Sequence, residues 1–291
     1  MTVANLKDVL LPAIAGHYGV AGVVVLGWED ARAYVEAAEE LGVPIILQAG
    51  PGCRKHTPVS ILGKMFRHLA EQAKVPVVCH IDHALTIEEC VSGIEHGFTS
   101  VMLDGSALPI SENIELTARV VEIAHRAGVS VEGEVGFVGY VSGTASAHTS
   151  PLDAQRFDLE SGADALAISI GNVHLNTEKT SGIDFESLGA IEAVTRLPLV
   201  LHGGSGIPLD VRSKLASETR VKKFNIGTEL RMAFGISLRN YLNEHPQSFD
   251  RNMILSATIN DVKAEAKRVM VGLNPTYRHP RAGGDPTFDK S

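Results

Sequence analysis

Cysteine is scarce, with three residues in 291, and Cys53, Cys79 and Cys90 share no C-x-x-C spacing. That excludes a disulfide framework and fits a reducing, cytoplasmic compartment. Positive charge is in deficit as well: 26 Lys and Arg stand against 34 Asp and Glu, a formal net charge of −8. A protein that grips nucleic acid by its phosphates needs basic surface, so that class is set aside, while a local pocket for one small anion stays compatible with the balance. Apolar runs such as Ala21–Leu26 fall far short of the ~18 residues of a membrane helix. The opening residues lack the basic-then-apolar pattern of a secretion signal, so neither a membrane span nor a leader is expected. There is no heptad array, no low-complexity segment and no Gly-x-Gly-x-x-Gly turn after the first strand, which removes the doubly wound dinucleotide-binding sheet.

What is abundant is apolar bulk and glycine: 44% of the chain is hydrophobic and 28 positions are glycine, enough for one large core with many tight turns. Apolar runs of strand length recur at Val20–Leu26, Pro44–Gln48, Val75–Cys79, Ser100–Leu103, Ser130–Val135, Ala165–Ile170, Pro198–Leu201 and Val221–Ile226, each followed by a helical pattern. Strands that are apolar throughout, each leading into a helix, predict an α/β protein with a closed parallel (β/α)8 TIM barrel buried on both faces. A single barrel domain is expected over 1–245, with Asn5–Gly16 as a short helix across one end. A C-terminal helical extension is expected over 246–272, and 273–291, dense in proline, glycine and charge, reads as a flexible tail.

In such barrels the active site lies at the C-terminal ends of the strands, so the residues that follow each apolar run are the informative ones. They are polar here. His80-Ile81-Asp82-His83 follows the third run, Asp104-Gly105-Ser106 the fourth, Gly171-Asn172-Val173-His174 the sixth and His202-Gly203-Gly204-Ser205-Gly206 the seventh; Glu132 and Glu134 end the fifth and Asn225-Ile226-Gly227-Thr228 the eighth. His83, His174 and His202, on three strand ends, can converge on one ion and leave a position open for substrate, the arrangement of a catalytic zinc. His80 reads as a satisfied core histidine. Glu132 and Glu134 share one face of their strand, and burying both without a cation is costly. The Gly203–Gly206 turn and Asn225–Thr228 offer backbone N–H groups where barrels commonly hold a phosphate, although the first alone is also a plain turn.

These stretches resemble the class II, metal-dependent ketose-bisphosphate aldolases, the fructose- and tagatose-bisphosphate aldolase family, over about residues 42–234. The matching pieces are HIDH at 80–83, VMLDGS at 101–106, EGEVG at 132–136, IGNVH at 170–174, VLHGGSGIP at 200–208 and KFNIGTE at 223–229. The resemblance implies that His83, His174 and His202 hold a catalytic Zn2+, that Asp104 and Glu134 can hold a second divalent or monovalent cation, and that Asp82 is the proton donor to the aldehyde oxygen. It also implies that Gly203, Gly204, Ser205, Asn225, Ile226, Gly227 and Thr228 bind the dihydroxyacetone phosphate half of a small phosphorylated sugar. The implied reaction makes or breaks a C–C bond between dihydroxyacetone phosphate and an aldehyde such as glyceraldehyde 3-phosphate. A homodimer or homotetramer is expected, with no nucleic-acid or membrane partner. The residues suit that chemistry, because a divalent metal supplies the electron sink without a Schiff-base lysine and a carboxylate one residue from a ligand suits the proton step.

Three positions depart from the family pattern. Val24 stands where an asparagine is usual, Leu175 replaces a glycine beside the second zinc histidine on the substrate side, and the loop Gly136–Gly143 lacks a carboxylate. His148 is the candidate for the missing loop base, a solvated loop histidine being the alternative. Three other readings compete: an aldolase for a different phosphorylated ketose or keto-sugar, a catalytically lapsed zinc-binding barrel with a binding or regulatory role, and a zinc-water hydrolase. Retention of Asp82, which a pure metal site does not need, argues for catalysis.

Overall fold

The computed structural model describes residues 2–139, 146–174 and 182–274. Along the chain run β1 (Val3–Ala4), α1 (Leu6–Gly16), β2 (Val20–Val24), α2 (Trp28–Leu41), β3 (Ile45–Ala49), α3 (Pro51–His56), α4 (Val59–Gln72), β4 (Val77–Ala84), α5 (Ile87–Glu95), β5 (Ser100–Leu103) and α6 (Ile110–Arg126). There follow β6 (Ser130–Val135), α7 (Pro151–Ser161), β7 (Ala165–Ile168), α8 (Phe185–Glu192), β8 (Leu199–Leu201), α9 (Leu209–Glu218), β9 (Val221–Ile226), α10 (Thr228–Glu244), α11 (Arg251–Ser256) and α12 (Ile259–Leu273). The pairing order β4-β3-β2-β9-β8-β7-β6-β5 is parallel throughout and closes through β4 on β5, which is the expected (β/α)8 barrel. Strand β1 pairs with Val77 and Val78, ahead of the point where β5 joins β4 at His80.

The strand-start end of the barrel is closed by α1. Its N-terminus is fixed by a capping box in which the Asn5 side chain takes the Asp8 N–H and the Asp8 side chain takes the Asn5 N–H. Leu6, Val9, Leu10 and Ala13 then pack against Val20, Ile46, Val78, Ala165, Ala167 and Val200 in an apolar layer. Helix α12 is no appendage: Val262, Ala266, Val269, Met270 and Leu273 join the main core, and the Leu273 carbonyl accepts the Gly19 N–H at 2.8 Å.

The structure moves several expected boundaries. Strand β4, the third of the barrel, runs on to Ala84, so Asp82 and His83 lie inside it rather than after it. An apolar-run criterion stops at Cys79 because His80, Asp82 and His83 break the run, leaving only Ile81 and Ala84 in the apolar core. Directly after β3 comes α3, started by Pro51, whose missing N–H costs nothing at the first helical position. Helix α11, capped by the Asp250 side chain, falls inside the helical extension expected over 246–272. The expected tail begins too early at 273, since Leu273 ends α12; residues 275–291 lie outside the described residues. Among the described residues no helix is long and apolar enough to cross a membrane.

Candidate active site

At the C-terminal ends of the strands, β4 brings Asp82 and His83, β5 leads to Asp104, β6 carries Glu132 and Glu134, the segment after β7 carries His174, His202 follows β8, and β9 carries Lys223 and Asn225. His83 adopts a left-handed backbone with φ +53°, at the point where the β4–β5 register shifts between Ile81 and Ala84. A bulge of this kind re-aims a side chain, and a non-glycine residue holds such a conformation only when its surroundings enforce it. One nitrogen each of His83, His174 and His202 lies within 4.8 Å of the others, and His83, Asp104 and Glu134 form a second group of the same tightness. The His83 and His202 rings stand edge to face with centroids 4.5 Å apart.

The atoms left over in this cluster test whether a metal ion fits it. Glu134 Oε2 and His202 Nδ1 are buried without a hydrogen-bond partner among the described residues, and they face each other at 3.6 Å. Leaving both unmet is costly, and a cation meets both. The other nitrogen of His202, Nε2, lies 3.2 Å from Glu132 Oε1, while His83 Nδ1 pairs with Asp104 Oδ2 at 2.7 Å. Carboxylates on the far nitrogens are what orient metal-binding imidazoles. Asp104 is in turn fixed by the Ser106 N–H and hydroxyl.

Beneath this cluster Lys223 Nζ donates to Glu132 Oε2 at 2.7 Å, and His80 sits between Ser100 Oγ at 2.8 Å and Lys223 at 3.5 Å. The cation that the Glu132 argument called for is thus a lysine of the same chain, and His80 is the satisfied core histidine expected. Burial holds His174 at about 4, helped by the charge of His83, and holds His202 well below the usual imidazole range. Both rings are therefore neutral at pH 7, the form in which an imidazole can ligate a metal. Burial lifts the Glu134 carboxyl to about 8. At His83 burial opposes the proton, but Asp82, Asp104 and Glu134 outweigh it and raise the imidazole to about 9. Burial also works against the Asp82 charge and is outweighed by His83 and Lys223, so Asp82 stays a carboxylate.

Asp82 and His83 face a cavity of about 350 Å³ whose opposite wall is Gly203, Ser205, Asn225, Gly227 and Thr228. Asn225 Nδ2 donates to Asp82 Oδ1 at 3.1 Å. Gly203 has φ +65°, and a Cβ there would sit 2.2 Å from the Val173 carbonyl, so only glycine fits. The Ser205 hydroxyl takes the Gly227 and Glu229 N–H groups at 3.2 and 3.4 Å, which docks the turn onto the N-terminus of α10. That 17-residue helix points its positive end at the cavity, as anion sites do. Gly204 and Ile226 lie between these residues in the chain, Ile226 with its side chain in the core.

A model of the family "Fructose-bisphosphate aldolase class-II" matches residues 4–276. The chain belongs to the class-II fructose-bisphosphate aldolase family. A fructose-bisphosphate aldolase of Geobacillus stearothermophilus is 34% identical over 271 residues, covering 91% of this chain and 94% of the relative. A 6-phospho-5-dehydro-2-deoxy-D-gluconate aldolase of Shouchella clausii is 36% identical over 271 residues, covering 90% and 92%. Among solved structures, the YdjI aldolase of Escherichia coli superposes with a TM-score of 0.81 at 30% identity, covering 95% of this chain and all of that one.

The aldolase thus brings together every ligand and acid expected from its sequence that falls among the described residues. Leu175 and residues 140–143 of the loop that lacks a carboxylate lie outside them. His148 is exposed and is not among the residues that line the cavity; the charge it faces is Asp184. Val24, at the position that departs from the family, lines the cavity as an apolar wall. Arg231 was missed. It lies one turn into α10, half-buried, lines the cavity and has no carboxylate partner among the described residues. Its signal was available, as a cation just beyond the KFNIGTE motif in an acidic chain.

Proposed function

We propose that this aldolase cleaves a phosphorylated ketose, fructose or tagatose 1,6-bisphosphate by default, into dihydroxyacetone phosphate and an aldehyde, with zinc at His83, His174 and His202. The observation that carries the reading is the facing pair of orphaned atoms, Glu134 Oε2 and His202 Nδ1, clustered with His83 and His174, which line a cavity together with an ionised Asp82. When bound, the metal polarises the substrate carbonyl beside the breaking bond and acts as the electron sink, an effect of several kcal/mol. Asp82 takes the proton of the C4 hydroxyl in cleavage and returns it to the aldehyde oxygen in condensation. Asn225 holds one oxygen of that carboxylate, and Gly50, where an added Cβ would stand 3.6 Å from Asp82 Oδ2, leaves the other room to work. The backbone at Ser205 and Thr228, held together by the Gly227 N–H on the Ser205 hydroxyl, binds the phosphate of the dihydroxyacetone half, and Arg231 supplies a side-chain cation for an anionic group. Asp104 and Glu134, with His83, suit a second cation.

Three free cysteines support a cytoplasmic setting, and a homodimer or homotetramer is the expected assembly, measurable by light scattering. The deciding experiment is a cleavage panel of ketose mono- and bisphosphates, including 6-phospho-5-dehydro-2-deoxygluconate, with zinc present. Release of a triose phosphate or equivalent three-carbon product is expected from at least one; silence across the panel from a zinc-loaded protein would leave the non-catalytic barrel. Elemental analysis is expected to find about one zinc per chain, lost in His202→Ala.

A further inference from the structure

Arg54 is a charged residue near the site that the proposed reaction does not use. It lies on α3, just past the cavity wall formed by Gly50–Cys53, and its side chain is only 10% exposed. Its guanidinium does not point at the cavity's polar groups. Nη1 donates to the carbonyls of Ala49 and Asp82, both at 2.5 Å, and Nη2 donates to the carbonyl of His83 at 3.0 Å and reaches Glu89 Oε2 at 3.5 Å.

Those carbonyls mark where the barrel ladder lets go. The register of β4 with β3 ends at Ile81, and its register with β5 skips from Ile81 to Ala84. Asp82 and His83 therefore have no partner residue in either neighbouring strand, and His83 takes its left-handed backbone in that gap. Glu89, the acid that Arg54 reaches, also accepts the Leu85 N–H at 2.9 Å, so one arginine–glutamate unit brackets the strand exit from Ala49 to Leu85.

We propose that Arg54 is a positioning residue for the metal site: its fork replaces the missing sheet bonds of Asp82 and His83 and so fixes the bulge that aims the His83 ring at the ion. A planar guanidinium with several donors can span three carbonyls at once, which a lysine ammonium at the end of its flexible stem cannot do in fixed geometry. The proposal rests on the reading of His83 as a metal ligand. Residues that orient ligands without touching the metal typically control affinity by about 10- to 100-fold.

The test compares parent, Arg54→Lys and Arg54→Ala, each checked for folding by circular dichroism and Tm. Zinc affinity is measured by competition with a chromophoric chelator, and the visible absorption of the cobalt-substituted proteins reports ligand geometry; neither readout needs a substrate. Arg54→Ala is expected to bind zinc about 10- to 100-fold more weakly, with an altered cobalt spectrum, to be partly rescued by millimolar guanidinium ion, and to leave Arg54→Lys in between. Parental zinc affinity and cobalt spectrum in a folded Arg54→Ala overturn the proposal. If neither variant folds, Arg54 is a fold determinant and the proposal also falls. A parent that binds neither metal would instead strike at the metal reading itself.

Discussion

At the end of the barrel where the strands begin, α1 lays Leu6, Val9, Leu10 and Ala13 over Val20, Ile46, Val78 and the alanines of β7. At the other end the same ring of strands turns inward His80, Asp82, Glu132, Glu134, His202 and Lys223, every one buried. The apolar end needs only shape: removing water from it is favourable whatever the neighbours' orientation. The polar end needs orientation at every atom, since each buried charge is tolerable only beside its partner. So Glu132 is answered by Lys223 and His83 by Asp104, while Glu134 Oε2 and His202 Nδ1, two of the buried atoms without a partner among the described residues, frame the ion site. One end supplies stability, and the other lowers it in exchange for groups held ready to react.

The sharpest way to break this division is at Asp82. Asp82→Ala is expected to keep zinc and fold while losing roughly 10² to 10⁴ in cleavage rate; steady-state assay with elemental analysis checks both, and unchanged turnover removes Asp82 from the mechanism. Next comes Lys223→Met, which strands Glu132 without its cation and is expected to cost about 3–5 kcal/mol of stability. Urea denaturation reads it, and adding Glu132→Gln in the same chain should recover part of the loss. At the apolar end Leu10→Ala is expected to cost about 2–5 kcal/mol, yet leave zinc content, kcat and KM at parental values. A rate defect there would show that the two ends are coupled.

The smallest effect is a pH dependence that the metal-free protein shows and the metal-loaded protein loses. Without metal, His83 at about 9 and Glu134 at about 8 keep protons that the unfolded chain has shed above about pH 6.5. The folded state then binds more protons than the unfolded state between about pH 6.5 and 9, so stability falls as pH rises through that window. Zinc binding must expel those protons, so the stabilisation it adds grows with pH over the same range. Tm measured from pH 6.5 to 9 is expected to fall with chelator and to stay level with zinc, and parallel curves would refute the coupling.

The same contrast explains what could be read in advance. Valine- and isoleucine-rich runs such as Val20–Val24 and Ile45–Ala49 are apolar on both faces, so the barrel and its strand order were visible as a cadence of runs. His83, His174, His202 and Asp104 were legible because barrels present chemistry at strand ends and these residues follow the runs. Where a strand itself turns polar the signal fails, which is why β4 was cut short at Cys79 and why Lys223, inside β9, was not recognised as the partner of Glu132. Arg54 was invisible for a different reason: its guanidinium meets the carbonyls of Ala49, Asp82 and His83 on two strands, and no local spacing encodes that. Arg231, by contrast, stood in plain view as a cation just beyond the KFNIGTE motif.

The contact between Leu273 and Gly19 bears on how the protein is made. Helix α12 lies against α2 and supplies part of the core beside β2, the first strand of the ring. While a ribosome is still extending the chain, β2 and α2 have emerged but the helix that covers them has not been synthesised. Closure of the barrel must wait for nearly the whole described chain, so the first strands depend on chaperone shelter or on speed of synthesis. A stop codon ahead of α12 would therefore remove more than a terminal helix: it would expose the earliest-made part of the core and mark the product for degradation.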